Sequence, residues 1–218
     1  MDAEFFKRGI VILDGAMGTV LQQRGLPPGG VPELLNLTDP ELLVSIHREY
    51  IAAGSQVVYA NTFGANALKL GRTGKTVDEI VSAAVSIAKR AAGAQAKVAL
   101  DMGPLGELLE PMGNLSFERA YELFREVAQA GERAGADLAV IETMTDLYEA
   151  KAALLAVKES TGLPVFVTMS FEADGRTFTG CTVASMARTL EGLGADAIGL
   201  NCSLGPDGLA PLLRELCA

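Results

Sequence analysis

Short runs of apolar residues recur along the chain, and each run ends in a glycine or a polar residue. The runs are rich in β-branched residues and lack the alternation of a half-exposed strand, which is typical of strands buried on both faces of a parallel sheet. We therefore predict a strand in each of six segments. They cover residues 10–13, 57–60, 98–100, 138–141, 165–169 and 197–200.

The segments between these runs have apolar residues three and four positions apart, which is the period of a helix that packs one face on a core. The stretch 77–92, for example, places Ile80, Val81 and Ala84 on one stripe. Helices are predicted over 41–53, 77–92, 117–134, 147–158, 183–193 and 207–217. The alternating order of strands and helices predicts an α/β fold of six βα units around a parallel sheet.

Composition narrows the class of protein. With 49% hydrophobic and 21% charged residues among 218, the chain can bury one sizeable core, which excludes a disordered protein. The net charge of −9 comes without a basic stripe, so we expect no nucleic-acid partner. No apolar stretch reaches the length of a membrane span. The charged residues 1–8 do not resemble a signal peptide, and the three cysteines are an odd number, so we expect a reducing, cytoplasmic setting.

Polar residues and glycines follow each predicted strand. Ligands of parallel α/β proteins bind outside the carboxyl ends of the strands, so these residues form the candidate site. The candidates include Asp14-Gly15, Asn61-Thr62, Glu142, Ser170 and Asn201-Cys202. From the residues alone, Asp14 and Glu142 are as consistent with turn caps as with ligand binding. Cys202 is likewise as consistent with a small apolar residue as with a ligand.

Other chemistry-bearing residues receive a structural interpretation. The loop 14–18 lacks the glycine patterns of nucleotide-binding loops, so nucleotide binding is not expected. His47, the single histidine, lies within a predicted helix away from the strand ends, and we interpret it as a surface or packing residue. One histidine makes a nucleophilic triad or a multi-histidine metal site difficult to build. We interpret Cys181 as incidental and Cys217 as structural.

The strand-end motifs, in this order, resemble those of the homocysteine S-methyltransferase family. Among its members, the N-terminal homocysteine-binding domain of cobalamin-dependent methionine synthases is the most similar. The resemblance rests on six segments in register over nearly the whole chain, namely 13–19, 61–65, 103–107, 142–146, 170–180 and 199–206. It implies a TIM-type (β/α)8 barrel, of which about six of eight βα units are present, and one homocysteine-binding domain over residues 1–218.

The resemblance also implies a site. Zinc would be held by three cysteine thiolates, of which Cys202 matches one, while the two others would lie beyond residue 218. Glu142 would bind the amino group of homocysteine with help from the Asp14-Gly15 turn, and Asn61, Thr62 and Ser170 would line the pocket. Zinc deprotonates a bound thiol, and the thiolate then attacks a methyl group. Methylcobalamin would donate the methyl group, with the cobalamin- and folate-binding domains of a longer protein as partners.

The length qualifies this hypothesis, because an α/β barrel usually needs about 250 residues. We expect the domain to be incomplete at its C-terminal end, to bind zinc weakly and to lack turnover by itself. Betaine and S-methylmethionine remain alternative methyl donors. A Schiff-base aldolase or an isomerase is a second class, but no lysine lies at a predicted strand end. A third class is a non-catalytic binding or assembly module that pairs through open sheet edges.

Overall fold

One parallel sheet organises the computed structural model, which describes residues 9–218. The strands are β1 Val57–Tyr59, β2 Lys97–Met102, β3 Leu138–Met144, β4 Val165–Met169 and β5 Ala197–Leu200. Strands adjacent in the sheet are also consecutive in the chain, and every pair is parallel. A strand order that never reverses keeps the right-handed crossovers on one face of the sheet. The predicted α/β fold with a parallel sheet is confirmed.

The helices agree with the periodicity of the sequence. They are α1 Met17–Gln23, α2 Leu35–Thr38, α3 Pro40–Ala52, α4 Ala67–Leu70, α5 Val77–Ala92, α6 Phe117–Arg133, α7 Leu147–Ser160, α8 Val183–Gly192 and α9 Pro206–Leu216, with a 3-10 turn at Pro32–Leu34. The six predicted helices correspond to α3 and α5–α9, and their ends agree to within two residues. The helices α1, α2 and α4 were not predicted, because four to seven residues are too few to show a helical period.

The segment 10–13 departs from the prediction of a first strand. Leu13 forms an isolated parallel bridge with Val57, and the Ile12 carbonyl accepts a hydrogen bond of 2.8 Å from the backbone N–H of Gln56. Ile10 is 89% exposed and Ile12 is 50% exposed. Within residues 9–218 there are therefore five strands instead of six. The segment lies beside β1, and its pairing with that strand is limited to this short stretch.

The two faces of the sheet differ in what they bury. Along β2, Val98 and Leu100 belong to the large core between the sheet and the helices. Ala99 belongs to a smaller apolar cluster on the opposite, inner face, together with Val57 and Leu138. Successive side chains of a strand alternate between the faces, so Asp101 follows Ala99 on the inner face. This alternation brings a carboxyl group to the inner face at the end of β2.

Side-chain caps fix where several helices begin. Thr76 and Glu79 form a complete capping box at α5, and Asp39 accepts a hydrogen bond of 3.2 Å from the backbone N–H of Leu42 at α3. These caps satisfy backbone donors that a helix leaves free at its start.

Two sequence expectations concern membranes and targeting. Over residues 9–218, no helix combines the length and the apolar character that a bilayer crossing requires. The expectation on residues 1–8 lies outside the described part of the chain.

Candidate functional site

A cavity of about 490 Å³ opens at the carboxyl ends of the strands, and we call it the rim cavity. The lining residues that carry the argument are Asp14, Gly15, Tyr59, Asn61, Asp101, Glu142, Thr143, Asn201 and Cys202. Six residues predicted from the sequence therefore meet in one place, namely Asp14, Gly15, Asn61, Glu142, Asn201 and Cys202. Thr62 and Ser170 do not line this cavity, and their contacts place them directly behind it.

Asp14 follows the bridge between Leu13 and Val57, which brings it to the end of β1. One carboxyl oxygen of Asp14, Oδ2, accepts a hydrogen bond of 2.9 Å from the backbone N–H of Tyr59. Burial raises the pKa of Asp14 to about 7, against the effect of that hydrogen bond. A Cβ at Gly15 would lie 3.0 Å from the Tyr50 ring, so glycine permits the close approach of that ring to the turn.

Glu142 lies at an irregularity of the sheet. The register between β3 and β4 shifts between Ile141 and Met144, and Thr143 has a φ of 61°. Such bulges redirect side chains and occur often beside binding sites. The Glu142 carboxylate accepts a hydrogen bond of 3.3 Å from the Asn201 side-chain amide, and burial raises the pKa of Glu142. The register shift between β3 and β4 thus places Glu142, whose pKa is raised, at the rim cavity.

The side chain of Asn201 ties the ends of three strands together. Its Nδ2 donates to the Thr143 hydroxyl at 2.8 Å, and its Oδ1 accepts from the Thr143 backbone N–H at 3.0 Å and from the Thr168 hydroxyl at 2.9 Å. Ser170 donates through its hydroxyl to the Asn201 carbonyl at 2.9 Å. The next residue, Cys202, is exposed and has a φ of 61°, an uncommon backbone conformation for a residue other than glycine. Ser170 therefore acts on the site by holding Asn201.

Asn61 and Thr62 fix the loop after β1. The Asn61 side-chain amide donates to the Pro32 carbonyl at 2.8 Å and to the Asn36 side chain at 3.2 Å. The Thr62 hydroxyl donates to the Asp101 carbonyl at 2.7 Å and accepts from the Asp101 backbone N–H at 3.0 Å. The hydroxyl of Thr62 is thus engaged with the end of β2.

Asp101 lines the cavity and was not among the predicted site residues. The residue is buried, with 8% exposure, and its Oδ1 has no hydrogen-bond partner in the part of the chain that the structure describes. Burial raises the pKa of Asp101 well above its usual range, and the charges of Glu142 and Asp14 raise it further. The sequence carried the same signal here as at Asp14, namely an acidic residue directly after an apolar run.

The rim cavity is lined by acidic side chains. Four acidic side chains line it, and no lysine, arginine or histidine of the described chain does. Of the four, Glu33 is occupied by the backbone N–H of Gly64, which donates to it at 2.6 Å. A cavity with this lining favours a ligand with a positive group over an anion.

The metal donors of the described chain do not assemble a zinc site. Cys202 is the one thiol that lines the rim cavity, whereas Cys181 donates to the Thr182 carbonyl and Cys217 is exposed after α9. Within residues 9–218, no group of three His, Cys, Asp or Glu side chains is placed to hold a metal ion. His47 is wholly buried in α3 and does not line the cavity, in agreement with a packing role.

Comparison with known proteins identifies the family. The model of the homocysteine S-methyltransferase family matches residues 11–218. The chain belongs to the homocysteine S-methyltransferase family. The resemblance of the strand-end motifs to this family of methyltransferases is thereby confirmed. Methionine synthases of Mycobacterium leprae and Mycobacterium tuberculosis are each 33% identical, over 98% and 95% of the chain, and the chain spans 19% of the length of either.

Solved structures within this family share the fold. The metallated form of the homocysteine methyltransferase MmuM from Escherichia coli has a TM-score of 0.84 and 20% identity, covering 98% of this chain and 81% of that one. The apo form of the same enzyme has a TM-score of 0.76 and 22% identity, covering 99% and 80%. This chain therefore has the same overall fold as these two structures.

Proposed function

We propose that the rim cavity binds homocysteine and that the protein transfers a methyl group to the homocysteine sulfur, forming methionine. The observation that carries the proposal is that Asp14, Glu142 and Cys202 line one cavity, which no basic side chain of the described residues lines. An amino acid with a thiol at its far end has the two features that this lining recognises, an ammonium group and a sulfur atom.

The ammonium group would bind to Glu142 and Asp14. Their raised pKa values mean that ionisation is unfavourable in the empty cavity, and a bound cation makes it favourable again. The Tyr59 backbone N–H and the Asn201 amide hold the two carboxyl groups in place. Asn61 lines the same cavity, and Thr62 and Ser170 support it from behind. The sulfur would then face Cys202.

We propose that Cys202 is one ligand of a zinc ion. The described residues do not supply the further thiolates of a three-cysteine site, so no step is assigned to the metal. The methyl donor we propose is methylcobalamin, bound by a cobalamin-binding domain of a longer cytoplasmic protein whose folate-binding domain supplies the methyl group to the cobalamin. The small share of the methionine synthases that this chain matches supports such domains. Betaine and S-methylmethionine are the alternative donors.

We also propose that residues 1–218 are a homocysteine-binding domain of the (β/α)8 barrel type. The consecutive parallel strand order supports this, because a closed barrel has the same order. The location of the polar lining at the carboxyl ends of the strands agrees with where barrels carry their sites.

The test is the binding of L-homocysteine by the chain, measured by titration calorimetry with the wild type and Glu142→Gln. We expect Glu142→Gln to weaken binding about tenfold, because it removes a charge-assisted hydrogen bond to the ammonium group. The control is Glu172→Gln, an exposed acid just after β4, which should bind as the wild type does. Equal affinities of wild type and Glu142→Gln would contradict the assigned role.

The donor is tested separately in the longer protein supplied with zinc. Methionine formation from homocysteine is measured with methylcobalamin, betaine and S-methylmethionine, each added alone. We expect methionine with methylcobalamin. If methionine forms only with betaine or only with S-methylmethionine, that compound is the methyl donor instead of methylcobalamin. If none of the three yields methionine, the proposed methyl transfer is refuted.

A further inference from the structure

Asp101 lies at the floor of the rim cavity, and no side-chain contact among residues 9–218 explains its position. It follows Ala99 on the inner face of β2, between the loop after β1 and the end of β3 that carries Glu142. Its backbone is held by pairing with β3 and by the Thr62 hydroxyl. The side-chain Oδ1 is fully enclosed and accepts no hydrogen bond.

An enclosed carboxyl oxygen without a partner is unusual, because burying a polar group without a hydrogen bond is costly. No cation forms an ion pair with Asp101 in the described chain, and Lys69 acts on it only at longer range. An apolar residue at this position would avoid the cost. Because Asp101 also lines the rim cavity, a ligand that enters the cavity can contact its carboxyl group.

The other two free carboxyl groups indicate the kind of ligand. Asp14 and Glu142 are each held by one amide N–H and keep acceptor capacity towards the cavity. Together with Asp101 they offer three acceptors, and an ammonium group carries three N–H donors. A hydroxyl group or a neutral ligand would leave carboxyl oxygens unsatisfied.

We propose that Asp101 is a third carboxyl group for the substrate ammonium and so a specificity-determining residue that selects an amino-thiol over a thiol without the amino group. This inference rests on the proposed function. Asp14 and Glu142 hold the ammonium from the rim, and Asp101 holds it from the floor.

Binding at this residue is coupled to one proton. Burial raises the pKa of Asp101 well above its usual range and so favours the protonated form in the empty cavity. Glu142 of β3, Asp14 of the first loop and Glu33 of the 3-10 turn raise this pKa further as they ionise, and Lys69 of α4 opposes them. When the ammonium binds, Asp101 ionises and its proton leaves to the solvent. The cavity therefore gains one negative charge, on Asp101, as the positive charge of the ammonium group enters.

The experiment compares two ligands and two variants of the chain. L-Homocysteine and 4-mercaptobutanoate differ only in the amino group, and their dissociation constants are measured for the wild type, Asp101→Asn and Asp207→Asn. Asp207 is an exposed acid in the first turn of α9, so its variant is the matched control. The melting temperature of each unliganded protein reports on folding.

We expect Asp101→Asn to weaken homocysteine binding about tenfold, which is ~1.4 kcal/mol, with binding of 4-mercaptobutanoate unchanged. Its melting temperature should stay close to that of the wild type, because a neutral amide of nearly the same size replaces the buried carboxyl group. Equal weakening for both ligands, a lower melting temperature, or homocysteine binding as in the wild type would each overturn the inference. If Glu142→Gln loses affinity and Asp101→Asn does not, the proposed function stands and the inference falls. If the wild type binds neither ligand, both fall.

Discussion

At the scale of single residues, burial sets the protonation of the carboxyl groups at the inner face. Asp14 has its pKa raised from 3.8 to about 7 by desolvation. A carboxyl group with a raised pKa holds its proton more firmly in the folded state than in the unfolded one. Its ionisation therefore reduces the free energy of unfolding as pH rises from about 4 to about 7.

Asp14→Asn should remove this dependence while keeping an oxygen that accepts from Tyr59. We expect the variant to be more stable than the wild type at pH 8 and equally stable near pH 4. Denaturant titrations at the two pH values measure the difference, with Asp207→Asn as a variant that should follow the wild type throughout. A less stable Asp14→Asn at pH 8 would show that the Asp14 charge has a partner in the fold.

His47 affects the pH dependence of stability in the opposite direction to Asp14. Burial lowers its pKa from 6.5 to about 4, and neither ring nitrogen has a hydrogen-bond partner among residues 9–218. The folded state resists protonation of His47, so stability is lost as pH falls from about 6.5 to about 4.

His47→Leu, of similar volume and without titratable atoms, should reduce the loss of stability over this range. The change leaves no polar partner unsatisfied, since the histidine nitrogens have none. The melting temperature is measured at steps between pH 7 and pH 4, with His47→Gln as a polar control. An unchanged pH profile for His47→Leu would contradict the assignment.

At the scale of elements, the shift of register between β3 and β4 and the Asn201 side chain shape the cavity together. Asn201 joins Thr143 and Thr168 across the ends of β3 and β4 and donates to Glu142. Its removal would leave the backbone N–H of Thr143 without this acceptor, so both stability and the position of Glu142 depend on it.

Asn201→Ala should lower the free energy of unfolding by about 1–3 kcal/mol and weaken homocysteine binding. Chemical denaturation and calorimetry measure the two effects. Asn114→Ala is the matched control, because Asn114 is exposed in the loop before α6. A destabilised Asn201→Ala that binds homocysteine with undiminished affinity would separate the strand-joining role from the site.

The same elements show what the sequence could predict. The helical period located α5 with both ends correct, because sixteen residues carry several turns of apolar spacing. The pairing of residues 10–13 depends on neighbours in space, which a local pattern does not contain. The supporting roles of Thr62 and Ser170 likewise depend on acceptors 39 and 31 residues away in the chain. Asp101 was within reach of the sequence, since it is an acid at the end of an apolar run.

At the scale of the whole molecule, the proposed role of Cys202 as a zinc ligand raises the question whether the described chain can hold a zinc ion by itself. Zinc in proteins takes about four ligands at bonding distance, and the rim cavity offers one thiol. We expect the isolated chain to hold less than one tightly bound zinc ion per monomer after dialysis, and Cys202→Ser to reduce any residual binding. Metal analysis of the dialysed chain measures this, and one tightly bound ion per monomer would contradict it.

The central claim is that the rim cavity recognises homocysteine by its ammonium group. The most direct measurement is a crystal structure of the chain grown with L-homocysteine. The account predicts the ligand in the rim cavity, with its nitrogen within hydrogen-bond distance of the carboxyl groups of Glu142 and Asp14 and its sulfur towards Cys202. A ligand bound elsewhere, or bound in the cavity with its nitrogen away from both carboxyl groups, would contradict the account.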